Sequence, residues 1–390
     1  MNVYLYNAII MRCFLGVFLI WMLTGIGAVG AQEQEQASFR DFRLLEVKGH
    51  AGSHIYTGES LEEALENGYR SVEVRYGWQS CNPDSWQSMY LYPAYGIGWY
   101  SGFIGNPDLL GMPGAFYAFI SFPLLRHNRH ALVLDPAAGL SFDFKPYHSE
   151  DNPLNDAISS RFNIYFNLNF GAIYRLNREM DLLYGIDLTH FSNGRTFRPN
   201  AGLNMLGLNV GLRYNFNARQ NRVDNAAHPK LLLDSRPRLE GFRKVRPVME
   251  GNVLVYGAGG LVQNTEDKGT GKQYTVFSTL LEYQYRFNTR SGVTAGLDFF
   301  FDNSLKGTHP GGRRDFYGTH LGYDFMFWRL TIRMQAGTYL HGRGHELKGN
   351  YFLRPAIKYD FSETLFLQVG LKTLAGFRAD WIETGIGVKL

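Results

Sequence analysis

His190, Ser192 and Asn204 are the residues of this chain whose types and spacing could do chemistry. A serine hydroxyl is a poor nucleophile until a neighbouring base takes its proton, and a histidine serves best when a third group holds its ring. Two residues along a strand place side chains on one face, roughly 6–7 Å apart at the backbone, so His190 is within reach of the Ser192 hydroxyl. Asn204 supplies an amide that could orient the ring, and the chemistry is acyl transfer. The competing reading is structural: His190 and Ser192 mark a strand end at a polar boundary. Other groups offer less. His309, His320, His341 and His345 lack metal-ligand spacing with carboxylates, and glycines interrupt His341-x-x-x-His345, so no metal or cofactor is expected.

The elements that must position these residues are written with a period of two. Phe162, Ile164, Phe166, Leu168 and Phe170 alternate with Arg161, Asn163, Tyr165, Asn167 and Asn169. The same alternation recurs over 277–287, 293–301, 330–340 and 382–390, and it marks half-buried strands. Strands are expected near 43–49, 71–78, 88–100, 114–124, 131–144, 161–175, 181–191 and 203–216. After a break they resume near 251–262, 273–287, 292–301, 316–327, 329–340, 351–361, 363–372 and 380–390. One short helix is expected at Leu61-Glu-Glu-Ala-Leu-Glu66. On 181–191, Tyr184, Ile186 and Leu188 share parity with His190 and Ser192; on the return strand Leu206, Leu208 and Val210 share it with Asn204. All three candidates therefore sit on the apolar face, while Asp187 belongs to the polar one. His320 and Asp324 share the polar face of another strand and suit an interior hydrogen-bond network.

Alternation fits a soluble sandwich and a transmembrane barrel equally. The barrel is favoured by strands of about 9–13 residues, by aromatic residues near strand ends, and by an export signal. Met11-Arg12 opens an apolar stretch that ends in small residues at Val29-Gly30-Ala31, which reads as a signal peptide over 1–31, followed by a polar lead-in over 32–42. Cys13 falls inside the signal, leaving Cys81 as a lone and inert thiol. The chain has 390 residues, of which 19% are charged, 45% hydrophobic and 15% aromatic, with a net charge of +4. That excludes a disordered chain and a charge-driven nucleic-acid binder, and two cysteines exclude a disulfide framework. The expected fold is all-β: an antiparallel outer-membrane β-barrel, with about 14–16 strands in one barrel or two eight-stranded halves. The single barrel is preferred, since one chain normally carries one barrel. The halves are 43–216 and 250–390, joined by a basic linker over 217–249.

On that face, polar groups aimed at hydrocarbon are costly unless they pair, so a site there suits a substrate that is itself a lipid. The segment His190-x-Ser192-Asn193 with Pro199-Asn200-x-Gly202 resembles the signature of the lipid A 3-O-deacylase (PagL) family, whose homologues are often labelled acyloxyacyl hydrolases. Tyr92-Pro93-x-Tyr95-Gly96-x-Gly98 and Asn155-x-x-Ile158-x-Ser160-x-x-Asn163 are also similar to such proteins. The resemblance covers about residues 40–217. It implies an eight-stranded outer-membrane esterase with histidine and serine on the seventh strand and an acid on the eighth. Two departures stand out. Asn204 occupies the acid's position, and Gly194-Arg195 stands where the family tends to have a small residue followed by glycine. The resemblance implies Ser192 as nucleophile, His190 as base, Asn204 as its orienting partner, and Asn193 and Asn200 as oxyanion or substrate-binding residues. It also implies lipid A (lipopolysaccharide) as substrate among outer-membrane lipids. Two alternatives are a non-catalytic channel or binding barrel with a relic site, and an outer-membrane phospholipase. The end of the chain, 371–390, faintly echoes the 188–216 hairpin, as a duplicate without the catalytic residues would.

Overall fold

The computed structural model describes residues 42–56, 58–80, 82, 84–216, 245–308, 313–341, 348–374 and 378–390. The expected signal peptide, nearly all of the lead-in, Cys81 and most of the basic linker lie outside the described residues.

The first sheet contains β1 (Phe42–His54), β2 (Tyr69–Gln79), β3 (Ala94–Phe103), β4 (Gly111–His127), β5 (His130–Phe144), β6 (Asn163–Arg175), β7 (Met180–Ser192) and β8 (Leu203–Asn215). The second contains β9 (Pro247–Val262), β10 (Tyr274–Asn288), β11 (Ser291–Asp302), β12 (Asp315–Phe327), β13 (Leu330–His341), β14 (Tyr351–Asp360), β15 (Leu365–Thr373) and β16 (Ala379–Lys389). Within each sheet every strand pairs antiparallel with its sequence neighbours. β1 then closes on β8, with Val47 opposite Leu212, and β9 closes on β16, with Val388 opposite Val255. The result is two closed eight-stranded barrels. The preferred single barrel is thereby corrected. It would need β8 to pair with β9, and the free edge of β8 is taken by β1.

Several expected boundaries change; β1 runs on to His54 and β4 extends to Gly111 and His127. The run 88–100 is not one strand: a 3-10 turn covers Trp86–Tyr90, and Leu91 and Tyr92 adopt left-handed backbone conformations (φ 60° and 56°) that break it before β3. β9 begins at Pro247, inside the expected linker. The expected helix is a single turn, Glu62–Leu65.

Both barrels are apolar outside and polar inside, which an aqueous sandwich would reverse. Ile97, Phe116, Leu140, Leu208, Leu297, Leu321 and Ile386 are exposed. In the first barrel Arg75 pairs with Asp135 (2.8 Å) and Glu73 (2.7 Å), and Arg213 pairs with Glu46 (2.6 Å). In the second, Arg333 joins Asp324 (3.0 Å) and Glu282 (2.7 Å), and Arg354 joins Asp298 and Glu383 (both 2.8 Å). His320 accompanies Asp298 (2.8 Å) and Asp324 is buried beside Arg333, as their parity suggests. Toward the end where β7 stops, the first interior becomes apolar, with Tyr69, Tyr100, Tyr165, Phe144, Phe191 and Leu203 in one cluster.

Candidate active site

The site is built at the ends of β7 and β8. Phe191 points inward and packs against Tyr100 (5.9 Å between ring centroids), Phe144 (5.2 Å) and Tyr165 (5.4 Å). With that ring anchored, strand alternation sends its neighbours His190 and Ser192 outward. His190 lies directly opposite Asn204 in the β7–β8 register, and its Nδ1 is 2.7 Å from Asn204 Oδ1. An amide oxygen only accepts, so this contact puts the ring proton on Nδ1 and leaves the Nε2 lone pair free. His190 and Asn204 are half-buried and Ser192 is buried. Gly202 (φ 77°) lies against the imidazole, where a side chain would crowd the ring. Asp187 faces the interior, 3.0 Å from His50 Nδ1, and takes no part.

Ser192 is held by two other groups. Asn200 Nδ2 donates to its Oγ at 2.8 Å, and the Gly194 N–H donates at 3.1 Å. The expected hydrogen bond from Ser192 to His190 is not among those of the described residues; the hydroxyl is engaged on its other side. Asn193, expected to bind the oxyanion, has its donors committed. Its N–H goes to Asn200 Oδ1 (3.2 Å), and its Nδ2 goes to Ser159 and Ser160 Oγ (both 3.1 Å). The β5–β6 loop that carries those serines is braced by Asn155, which accepts from Ile158 N–H (3.0 Å) and donates to the Lys145 carbonyl (2.7 Å). It also carries the far side of the site, because Ala201 and Gly202 donate to the Asp156 and Ala157 carbonyls (3.1 and 3.0 Å).

Gly194 and Ser159 are the contributors that sequence reasoning missed. The Asn155-x-x-Ile158-x-Ser160 pattern pointed at the second, and backbone N–H groups near Asn193 were expected at the oxyanion without Gly194 being singled out. Gly194 (φ 62°) and Arg195 (φ 71°) form a tight turn, closed by Thr196 N–H on the Asn193 carbonyl (3.2 Å). Two successive left-handed residues are the mark of a type I′ turn. Near it, burial lowers the Arg198 guanidinium to about 10, with Arg195 and Arg378 adding repulsion, so it remains a cation at neutral pH.

Residues 70–213 match the family described as lipid A 3-O-deacylase (PagL), and residues 251–390 match acyloxyacyl hydrolase, C-terminal domain. No curated protein matches the chain. Similar solved structures include the Acinetobacter baumannii outer membrane protein Omp33, 7% identical over 90% of this chain and 98% of that one, with a TM-score of 0.16. Acinetobacter baumannii OccAB1 is 9% identical over 92% of this chain and 99% of its own, with a TM-score of 0.23. Since the first match lies within one barrel and the second within the other, and together they span most of the chain, it belongs to the lipid A 3-O-deacylase (PagL) family of outer-membrane β-barrel hydrolases.

Proposed function

We propose that this protein is a serine esterase that removes an ester-linked acyl chain from lipid A in the outer leaflet, after export directed by residues 1–31. The observation that carries the reading is the cluster of His190, Asn204, Ser192 and Asn200 on the lipid-facing side of adjoining strand ends. Long loops leave the site end of the first barrel, and most turns at the other end are short, as between β4 and β5. Long loops are the outer ones in such barrels, which supports an outer-leaflet substrate.

Ser192 Oγ attacks the acyl carbonyl while its proton passes to His190 Nε2. Asn204 Oδ1 holds the Nδ1–H and so fixes the tautomer that this transfer needs. The carbonyl oxygen gains negative charge, which Gly194 N–H and Asn200 Nδ2 are placed to receive once Oγ turns from them toward the carbonyl carbon. Asn193 then acts by orienting Asn200 and the β5–β6 loop. The C–O bond to the sugar breaks and His190 returns the proton to the leaving oxygen. Water, deprotonated by the same imidazole, releases the fatty acid and restores Ser192. A phospholipid ester would meet the same groups, so substrate choice rests on the head group. The ion pairs that fill both interiors weigh against the channel alternative.

Mass spectrometry of lipid A from cells making the wild-type protein or Ser192→Ala tests the reading. One acyl chain should be missing only with the wild type. Full acylation in both would overturn it.

A further inference from the structure

The turn that presents the Gly194 N–H belongs to the first barrel, yet the second barrel holds it. Arg195 Nη2 lies 3.5 Å from Asp302 and Nη1 lies 3.4 Å from Asp380. Both acids are fully buried at the rim of the second barrel, where Lys348 joins them at 2.6 and 2.8 Å and Lys372 joins Asp380 at 2.6 Å. The Arg195 carbonyl accepts from Gln263 N–H (3.1 Å), Arg198 N–H donates to Gln263 Oε1 (2.7 Å), and Arg198 Nε donates to the Gln263 carbonyl (3.1 Å). Gln273 Nε2 donates to the Thr196 carbonyl at 3.0 Å. A side chain at Gly194 would run into Ile382 of β16. Arginine is a poor choice for a left-handed turn position, and here its side chain and its carbonyl are both fastened to the second barrel.

Adhesion between the barrels does not need this contact. At the opposite end of the strands Trp86 stacks on Trp328 (6.5 Å), Phe122 packs on Phe327 (5.4 Å), Arg290 covers the Tyr90 ring (4.8 Å), and the Tyr90 hydroxyl donates to the Met326 carbonyl. A buried ion pair adds little net stability against the cost of desolvating its charges, but it holds geometry.

Resting on the esterase reading above, we propose that the second barrel serves as the clamp of the oxyanion turn, with Arg195 a positioning residue locked between Asp302 and Asp380. Donors aimed in advance at the developing charge need no reorganisation during reaction, and a turn free to swing would lose that advantage. The Gly194-Arg195 departure from the family's usual residues is then a device for recruiting the second barrel.

The test uses the full chain, purified in detergent, as wild type, Arg195→Ala, Arg195→Lys, Gln263→Ala and Trp328→Ala, with Ser192→Ala alongside. Heat-modifiable gel mobility checks that the barrels are folded. Amide hydrogen exchange of residues 193–202 and the kcat and KM for fatty acid release from lipid A are then measured. Arg195→Ala should speed exchange in that segment and lower kcat, each about tenfold or more, with KM within about twofold. Arg195→Lys should recover part of both, Gln263→Ala should shift both in the same direction by less, and Trp328→Ala should shift neither. Should Arg195→Ala fail to fold, Gln263→Ala decides by the same two readouts. Unchanged exchange in a folded variant overturns the clamp. Faster exchange with unchanged kcat, or a change confined to KM, overturns its service to the oxyanion. Full activity in Ser192→Ala refutes the esterase reading instead, and the exchange data still judge the clamp.

Discussion

Replacing Asn204 with aspartate leaves the side chain the same length and adds a full negative charge where Oδ1 now lies 2.7 Å from His190 Nδ1. A hydrogen bond between neutral groups contributes about 0.5–1.5 kcal/mol, and one to a charged group about 1.5–3 kcal/mol. The difference, about 1–1.5 kcal/mol, matters only as the imidazolium forms, because the neutral ring gains less from the carboxylate. At about 1.4 kcal/mol per factor of ten, Asn204→Asp should raise kcat about tenfold. Asn204→Glu, which restores the family's residue, should change it in the same direction if the longer chain can bend back to the ring. Asn204→Leu removes the acceptor, frees the ring to take the wrong tautomer, and should lower kcat by about tenfold or more. The assay is release of free fatty acid from purified lipid A in mixed micelles, with folding checked by gel mobility. Asn204→Leu at the wild-type rate in a folded protein would refute the role given to Asn204.

Asn200→Ala should lower kcat by about 10–100-fold, since a lost oxyanion donor costs up to a few kcal/mol, and the same micelle assay reads it. Arg75→Ala should destabilise the first barrel by about 3 kcal/mol, because Glu73 and Asp135 are left buried with the single charge of Lys48 (3.2 and 3.3 Å away) to share between them; urea unfolding in lipid vesicles measures the loss. Leu208→Arg puts a cation on an exposed apolar site of β8 and should cost about 2–4 kcal/mol in a bilayer. An equally stable variant in the same unfolding experiment would argue that this face does not meet hydrocarbon.

Most strands were legible because alternation is set by the pleat, and the pleat is local. His190 and Asn204 could be placed on one face for the same reason: parity along each strand does not depend on what lies far away. Closure was not legible. The pairing of Val47 with Leu212, or of Val388 with Val255, follows from strand number and stagger around a barrel, which no single stretch encodes. The break at Leu91-Tyr92 was hidden because Tyr90 and Tyr92 keep the alternation of a strand while the backbone turns left-handed. The setting of Arg195 was out of reach for a plainer reason. Its partner Asp302 is 107 residues further along, so the local motif showed only a departure.

The two separate closures also govern how the chain can fold. A single sixteen-stranded ring would have to bring β1 to β16, across nearly the whole sequence, before its last edge was satisfied. Here β8 returns to β1 and β16 returns to β9, so each search spans about half that distance. Loop-closure entropy saves only about 0.6 kcal/mol per halving of length, but the kinetic gain is larger, since nearer contacts form sooner. Each ring can be sealed without waiting for the other, since neither closure borrows a strand from the other. Its open strand edges are exposed to other chains for less time, and an error in one ring need not undo the other.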